Sequence, residues 1–292
     1  MKRRRFISLL SLGLIPSLGV ASLRAEASDL NLRTAPVELG GDWGGSAQRD
    51  VAAVIRRTRA ACLSGVKLRS DRQPGTLRVD QRAGHPPSIW LQTAAPATAW
   101  INVAVGTRDW SNLAYQFGHE LGHVLCNSWE SDAQPQNPCQ WIEEVLVEAF
   151  SLRGLAVLAD QWALAPPFPN DEAFAHSIRE YREDILIRSR AIARDQGLSA
   201  ELGAGFGAWF KAHESLLSED GGVNAARGAV PTMLQLLLAD PASVDDLGAL
   251  NRWQGRSGVP LPDYLTLWEK SCAELNAPGR LPVQIRSLFE HV

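Results

Sequence analysis

Apolar positions change their period once along the chain. Residues 47–62, AQRDVAAVIRRTRAAC, place them three and four apart and predict a helix. Four pieces of β character follow: GVKLRS, TLRVDQR, SIWLQTA and AWINVAVG, divided by turn formers at Gly75, Gly84, Pro86 and Pro87. From Ser111 onward helical periodicity takes over, with breaks at 135–138, 166–169, 221–222 and 255–262. Strands gathered first and helices second predict an α+β fold. It has an N-terminal helix, a small and mostly antiparallel sheet, and a mainly α-helical C-terminal half. The change of character suggests sub-domains at 28–127 and 128–292.

The first residues add an address. MKRRRFISLLSLGLIPSLGVASLRAEAS has a basic start, an apolar run and the tripeptide Ala25-Glu26-Ala27, which predicts a signal peptide cleaved after Ala27. The run Arg3-Arg4-Arg5-Phe6-Ile7 resembles the twin-arginine export pattern. Residues 1–27 hold five basic residues and one acid, so without them the net charge moves from −3 to −7. That balance leaves no basic patch for nucleic acid, and no later stretch is apolar for long enough to span a bilayer. The expectation is an exported bacterial protein, periplasmic or extracellular, with a flexible start over residues 28–46. Its four cysteines, in an oxidising compartment, predict disulfides Cys126–Cys139 and Cys62–Cys272, the alternative being four buried thiols.

Residues 115–127, YQFGHELGHVLCN, carry the chemistry. Ser111 is the expected N-cap, and Leu113, Phe117, Leu121, Val124 and Leu125 form a packing stripe. His119 and His123 lie about 40° apart around such a helix, one turn of rise between them, so both imidazoles face one way. Two neutral imidazoles so placed suit one Zn²⁺. Glu120, about 100° further round, reaches water at the ion without being a ligand. Gly122 leaves room for a close neighbour.

A catalytic zinc takes three protein ligands and one open position. A histidine six residues after His123 would be the metzincin solution, but Trp129 stands there. The next helix, QWIEEVLVEAFSLRGL from Gln140, offers Glu143, Glu144 and Glu148 instead, with Glu144 and Glu148 on one face.

With the H-E-x-x-H run and these glutamates, residues 99–155 resemble the gluzincin metallopeptidases, the thermolysin-like and related zincins. Trp141-Ile142-Glu143-Glu144 is similar to the W-x-x-E run of the gluzincin aminopeptidases, although their G-x-M-E-N motif is missing upstream and an exopeptidase is not supported. The resemblance implies one Zn²⁺ held by His119, His123 and Glu144, with Glu120 as general base. Glu148 would orient a histidine from the second shell, and Glu143 would be either another such group or a rival ligand. It also implies an oxyanion donor from the helical half, with His176 and Tyr181 as candidates and His213 behind them. A sheet edge for an extended substrate is expected at residues 99–106. The implied activity is zinc-dependent hydrolysis of peptide or protein substrates inside the chain. The alternatives are a non-catalytic binding or scaffold protein that keeps the fold, and a zinc amidase acting on a non-protein amide.

Overall fold

The computed structural model describes residues 31–91, 97–130, 132–133, 136–199 and 201–290; the expected signal peptide lies outside them. Among the described residues four strands form one sheet: β1 (Val37–Gly41), β2 (Thr76–Gln81), β3 (Ser88–Trp90) and β4 (Thr98–Val103). Helix α1 (Gln48–Cys62) crosses between β1 and β2. The remaining helices follow the sheet: α2 (Trp110–Leu125), α3 (Gln140–Leu164), α4 (Phe174–Asp195), α5 (Phe206–Glu219), α6 (Val223–Ala226), α7 (Val230–Ala239), α8 (Leu261–Glu274) and α9 (Arg280–Glu290). Two 3-10 segments, Arg227–Ala229 and Pro241–Ala249, complete the α+β arrangement.

The sheet departs from expectation in three respects. Its order is β1-β2-β4-β3, with β1/β2 and β2/β4 parallel and β3/β4 alone antiparallel, so it is mixed rather than mostly antiparallel. The helical crossover of α1 imposes the first parallel pair, since a hairpin turn cannot join parallel neighbours. The second departure is β1, which lies in the segment read as a flexible start. Thirdly, GVKLRS is not a strand. Leu68 adopts φ 55, and the Lys67 N–H donates to Asp245 Oδ1 at 2.6 Å instead of to a neighbouring strand.

One face of the sheet is apolar and buried, through Leu77, Val79, Ala99, Ile101 and Val103. These residues belong to a continuous core that runs from Leu32 to Leu288 and so spans both expected sub-domains. Helices α2 and α3 lie within it. A Cβ at Gly122 would sit 2.8 Å from Cβ of Val147, and one at Gly154 would sit 2.2 Å from Sγ of Cys62. The two glycines thus set how closely α3 approaches α2 and α1. Gly154→Ala should lower stability by about 1–2 kcal/mol, because overpacking outweighs the gain in helix propensity. A urea titration checks this, and adding Cys62→Ala should recover part of the loss.

The expected disulfides are absent: all four cysteines are free and buried. Cys62 is wedged beside Gly154 and Gly118, whereas Cys272 packs against Gly279. Cys139 donates its S–H to the Val259 carbonyl at 3.3 Å, and Cys126 is the C-terminal cap of α2. Burial pushes the Cys62 and Cys139 thiols up to about 12, which keeps the reactive thiolate scarce.

Candidate metal centre

Helix α2 starts one residue before the expected cap, and Asp109 precedes it without capping it through its side chain. The register of the motif is unaffected. His119 and His123 project from α2 towards Glu144 of α3, and one ligand atom from each of the three lies within 4.8 Å of the others. Both histidines turn the same nitrogen towards that carboxylate. Nε2 of His119 is 3.6 Å from Glu144 Oε2, and Nε2 of His123 is 3.8 Å from Glu144 Oε1.

The opposite nitrogens are held by two other carboxylates. Nδ1 of His119 is 2.9 Å from Glu148 Oε2, and Nδ1 of His123 is 2.7 Å from Glu143 Oε1. In a neutral imidazole, a carboxylate that accepts the Nδ1 proton fixes the tautomer and turns the Nε2 lone pair towards the centre. Glu143 therefore meets His123 at Nδ1, the nitrogen turned away from Glu144.

Each support is itself held. Glu148 is fully buried; it accepts the Tyr115 hydroxyl at 2.8 Å and lies 3.4 Å from the Arg227 guanidinium. Glu143 accepts from Asn251 Nδ2 at 2.5 Å, from Arg256 at 3.2 Å and from the Ser128 hydroxyl.

Burial and the neighbouring charges shift the ionisable groups of the site in opposite directions. Burial draws the His119 pKa down, but hydrogen bonds to Glu144 and Glu148 outweigh it and hold it well above the usual range. His123 is also raised, its burial overcome by the Glu144 charge and the Glu143 hydrogen bond. Glu144 moves the other way, to about 2, because the histidines overturn its desolvation. Glu120 is raised, chiefly by burial. Four enclosed carboxylates (Glu120, Glu143, Glu144, Glu148) surround the two imidazoles, with the guanidinium groups of Arg227 and Arg256 against Glu148 and Glu143, an acidic setting that favours a bound proton or cation at the histidines.

Glu120 is 3% exposed and, among the described residues, enters no side-chain hydrogen bond or ion pair. Two cavities meet beside it. One, of about 220 Å³, is lined by His119, Glu120, His123, Glu144 and the β3 residues Ser88 and Ile89. The other, of about 520 Å³, continues past Tyr115 and Glu144 to Asn224 and Arg227. The strand beside the site is therefore β3, an edge of the sheet, and not residues 99–106, whose strand β4 is paired on both sides.

The expected donors are elsewhere. The His176 side chain is 75% exposed and faces Glu180, one turn along α4. Tyr181 stands a layer behind the site; it donates to Asn112 Oδ1 at 3.0 Å and packs its ring on Tyr115. His213 stacks on Trp209. Tyr115 and Arg227, missing from the sequence reading, line the larger cavity instead. Tyr115 carried a usable signal, one helical turn before His119; Arg227 carried none. Compared with known protein families, with curated proteins and with solved structures, the chain matches none.

Proposed function

We propose that this chain is a zinc-dependent hydrolase of the gluzincin type that cleaves peptide bonds, exported as its N-terminal sequence suggests. The observation that carries the reading is the double orientation of the histidines. Both Nε2 atoms converge on Glu144 while both Nδ1 atoms are anchored by separate carboxylates. A helix with two merely structural histidines has no need of that pairing.

His119 Nε2, His123 Nε2 and a Glu144 oxygen would hold the ion. Zn²⁺ bound by such a set supplies Lewis-acid chemistry, acidifying water and polarising a carbonyl. Glu120 takes the proton from the attacking water and passes it to the leaving amine, a role its raised pKa and uncommitted carboxylate suit. With His176 and Tyr181 outside the cleft, Arg227 is the charged donor lining the larger cavity, suited to the oxygen of the polarised carbonyl. Edge strand β3 offers backbone groups along the smaller cavity, where an extended peptide can lie.

The test is metal analysis of the purified protein together with cleavage of an unbiased peptide library. Zinc near one per chain, and cleavage lost on chelation and restored by zinc, is the expected result. Zinc retained without cleavage of any peptide would overturn the peptidase reading, and a panel of cell-wall amides run alongside would show whether a different amide is the substrate.

A further inference from the structure

The loop between the second 3-10 segment and α8, residues 250–260, closes over the ends of both metal-site helices. Asn127, just past α2, donates to the carbonyls of Gly248 and Leu250 at 3.0 and 2.8 Å. At the start of α3, Cys139 donates its backbone N–H to the Ser257 carbonyl at 3.1 Å and its thiol to that of Val259. The loop therefore does the clamping expected of a Cys126–Cys139 disulfide. Two of its side chains go further and reach Glu143: Asn251 with Nδ2, Arg256 with its guanidinium.

These two residues stand in locally unfavourable states. Arg256 adopts φ 42 and Asn251 φ 54; asparagine tolerates the left-handed region, arginine much less readily. Arg256 is 5% exposed, and its Nε has no hydrogen-bond partner among the described residues. A buried arginine–glutamate pair gains little over well-packed apolar side chains of similar volume. Stability alone thus gives weak grounds for placing an incompletely satisfied cation here, on a strained backbone. Such costs collect where geometry has to be held. The group held is Glu143, whose other oxygen sits 2.7 Å from His123 Nδ1. Tyr264 extends the chain of contacts, donating its hydroxyl to Asn251 Oδ1 at 3.2 Å.

We infer that Asn251 and Arg256 are positioning residues for the metal centre: they lock Glu143, and through it the tautomer and ring angle of His123. The inference rests on the metal-site reading above. It makes the affinity for a divalent ion depend on a loop more than a hundred residues away in sequence. His119 needs no such loop, since Tyr115 on its own helix and Arg227 hold its partner Glu148.

The experiment titrates the full-length metal-free protein with Co²⁺ and Zn²⁺ against a competing chelator and records the visible Co²⁺ spectrum. Arg256→Met and Asn251→Ala should each weaken binding about 10–100-fold and shift the Co²⁺ bands. Arg256→Lys should recover part of the loss. In a Glu143→Gln background, Arg256→Met should add little, since the two act as one unit. Far-UV circular dichroism and urea midpoints of the metal-free variants separate misfolding from mispositioning. Should Arg256→Met fail to fold, Ser128→Ala removes only a hydroxyl that bridges Arg256 and Glu143, and carries the same expectation in milder form. Folded variants with wild-type affinity and spectrum would overturn the inference, as would an Arg256→Met effect that persists undiminished without Glu143. Wild-type protein that binds neither ion would overturn the metal-site reading itself.

Discussion

Replacing Glu120 with glutamine should slow the proposed hydrolysis by about 10²–10⁴-fold, the usual contribution of a positioned general base, while zinc binding is retained. Glutamine preserves the shape and the capacity to accept a hydrogen bond, but it cannot take a proton at neutral pH. Glu120 belongs neither to the converging ligand set nor to the two carboxylates that anchor Nδ1, so metal content should stay at the wild-type level. The loss should fall on kcat, with KM little changed, because the proton moves only as the transition state forms. Parallel measurement of zinc stoichiometry and steady-state kinetics decides it. Full activity in Glu120→Gln would remove this residue from the mechanism; loss of activity together with zinc would make it a structural support instead.

What sequence could show about this site follows the range over which its geometry is local. A helix fixes its own surface, so the common facing of His119 and His123 was legible from their four-residue spacing. The shared face of Glu144 and Glu148 was legible for the same reason. The different placement of the three glutamates was not, because Glu143 and Glu144 are neighbours in sequence and which imidazole nitrogen each meets depends on how the two helices pack. Arg256 and Asn251 were invisible, since they approach Glu143 across separations of 113 and 108 residues.

The sheet shows the same limit. Alternating apolar residues mark TLRVDQR and AWINVAVG as strands, but parallel and antiparallel pairing bury alternate side chains equally, so direction was not encoded in the pattern. β1, VELGG, offers too few apolar positions to stand out from a linker, and its place depends on β2. An even number of cysteines favours disulfides where export is expected, yet all four thiols here are free and buried in the core. The short Cys126–Cys139 separation suggested a bond between sulfurs that the structure does not contain; the 250–260 loop that contacts both helix ends could not be read from that spacing.

On the proposed metal-site reading, chelation should lower stability and make it fall as pH rises. In the metal-free protein the pKa values of His119 and His123 are raised, because the surrounding carboxylates outweigh burial. Histidine in the unfolded chain titrates near pH 6.5. A folded pKa above that value means the native state binds the proton more tightly. The stabilisation is therefore complete below about pH 6.5 and is lost as pH rises through the folded values. Metal binding has the opposite slope: the ion requires neutral imidazoles, so protons compete with it and its contribution grows as pH rises. Glu144, lowered to about 2, adds stability that is present above its unfolded pKa and lost only as pH falls towards 2, outside this window. With free zinc about 1,000-fold above its Kd the gap is about 4 kcal/mol. For a chain of this size that is roughly 10 °C in Tm. Thermal melts between pH 6 and 9, with zinc and with chelator, should show two curves that diverge as pH rises. Coincident curves would mean the ion does not bind the native site. A metal-free Tm that climbs with pH would mean that the histidines do not carry the protons the four carboxylates call for.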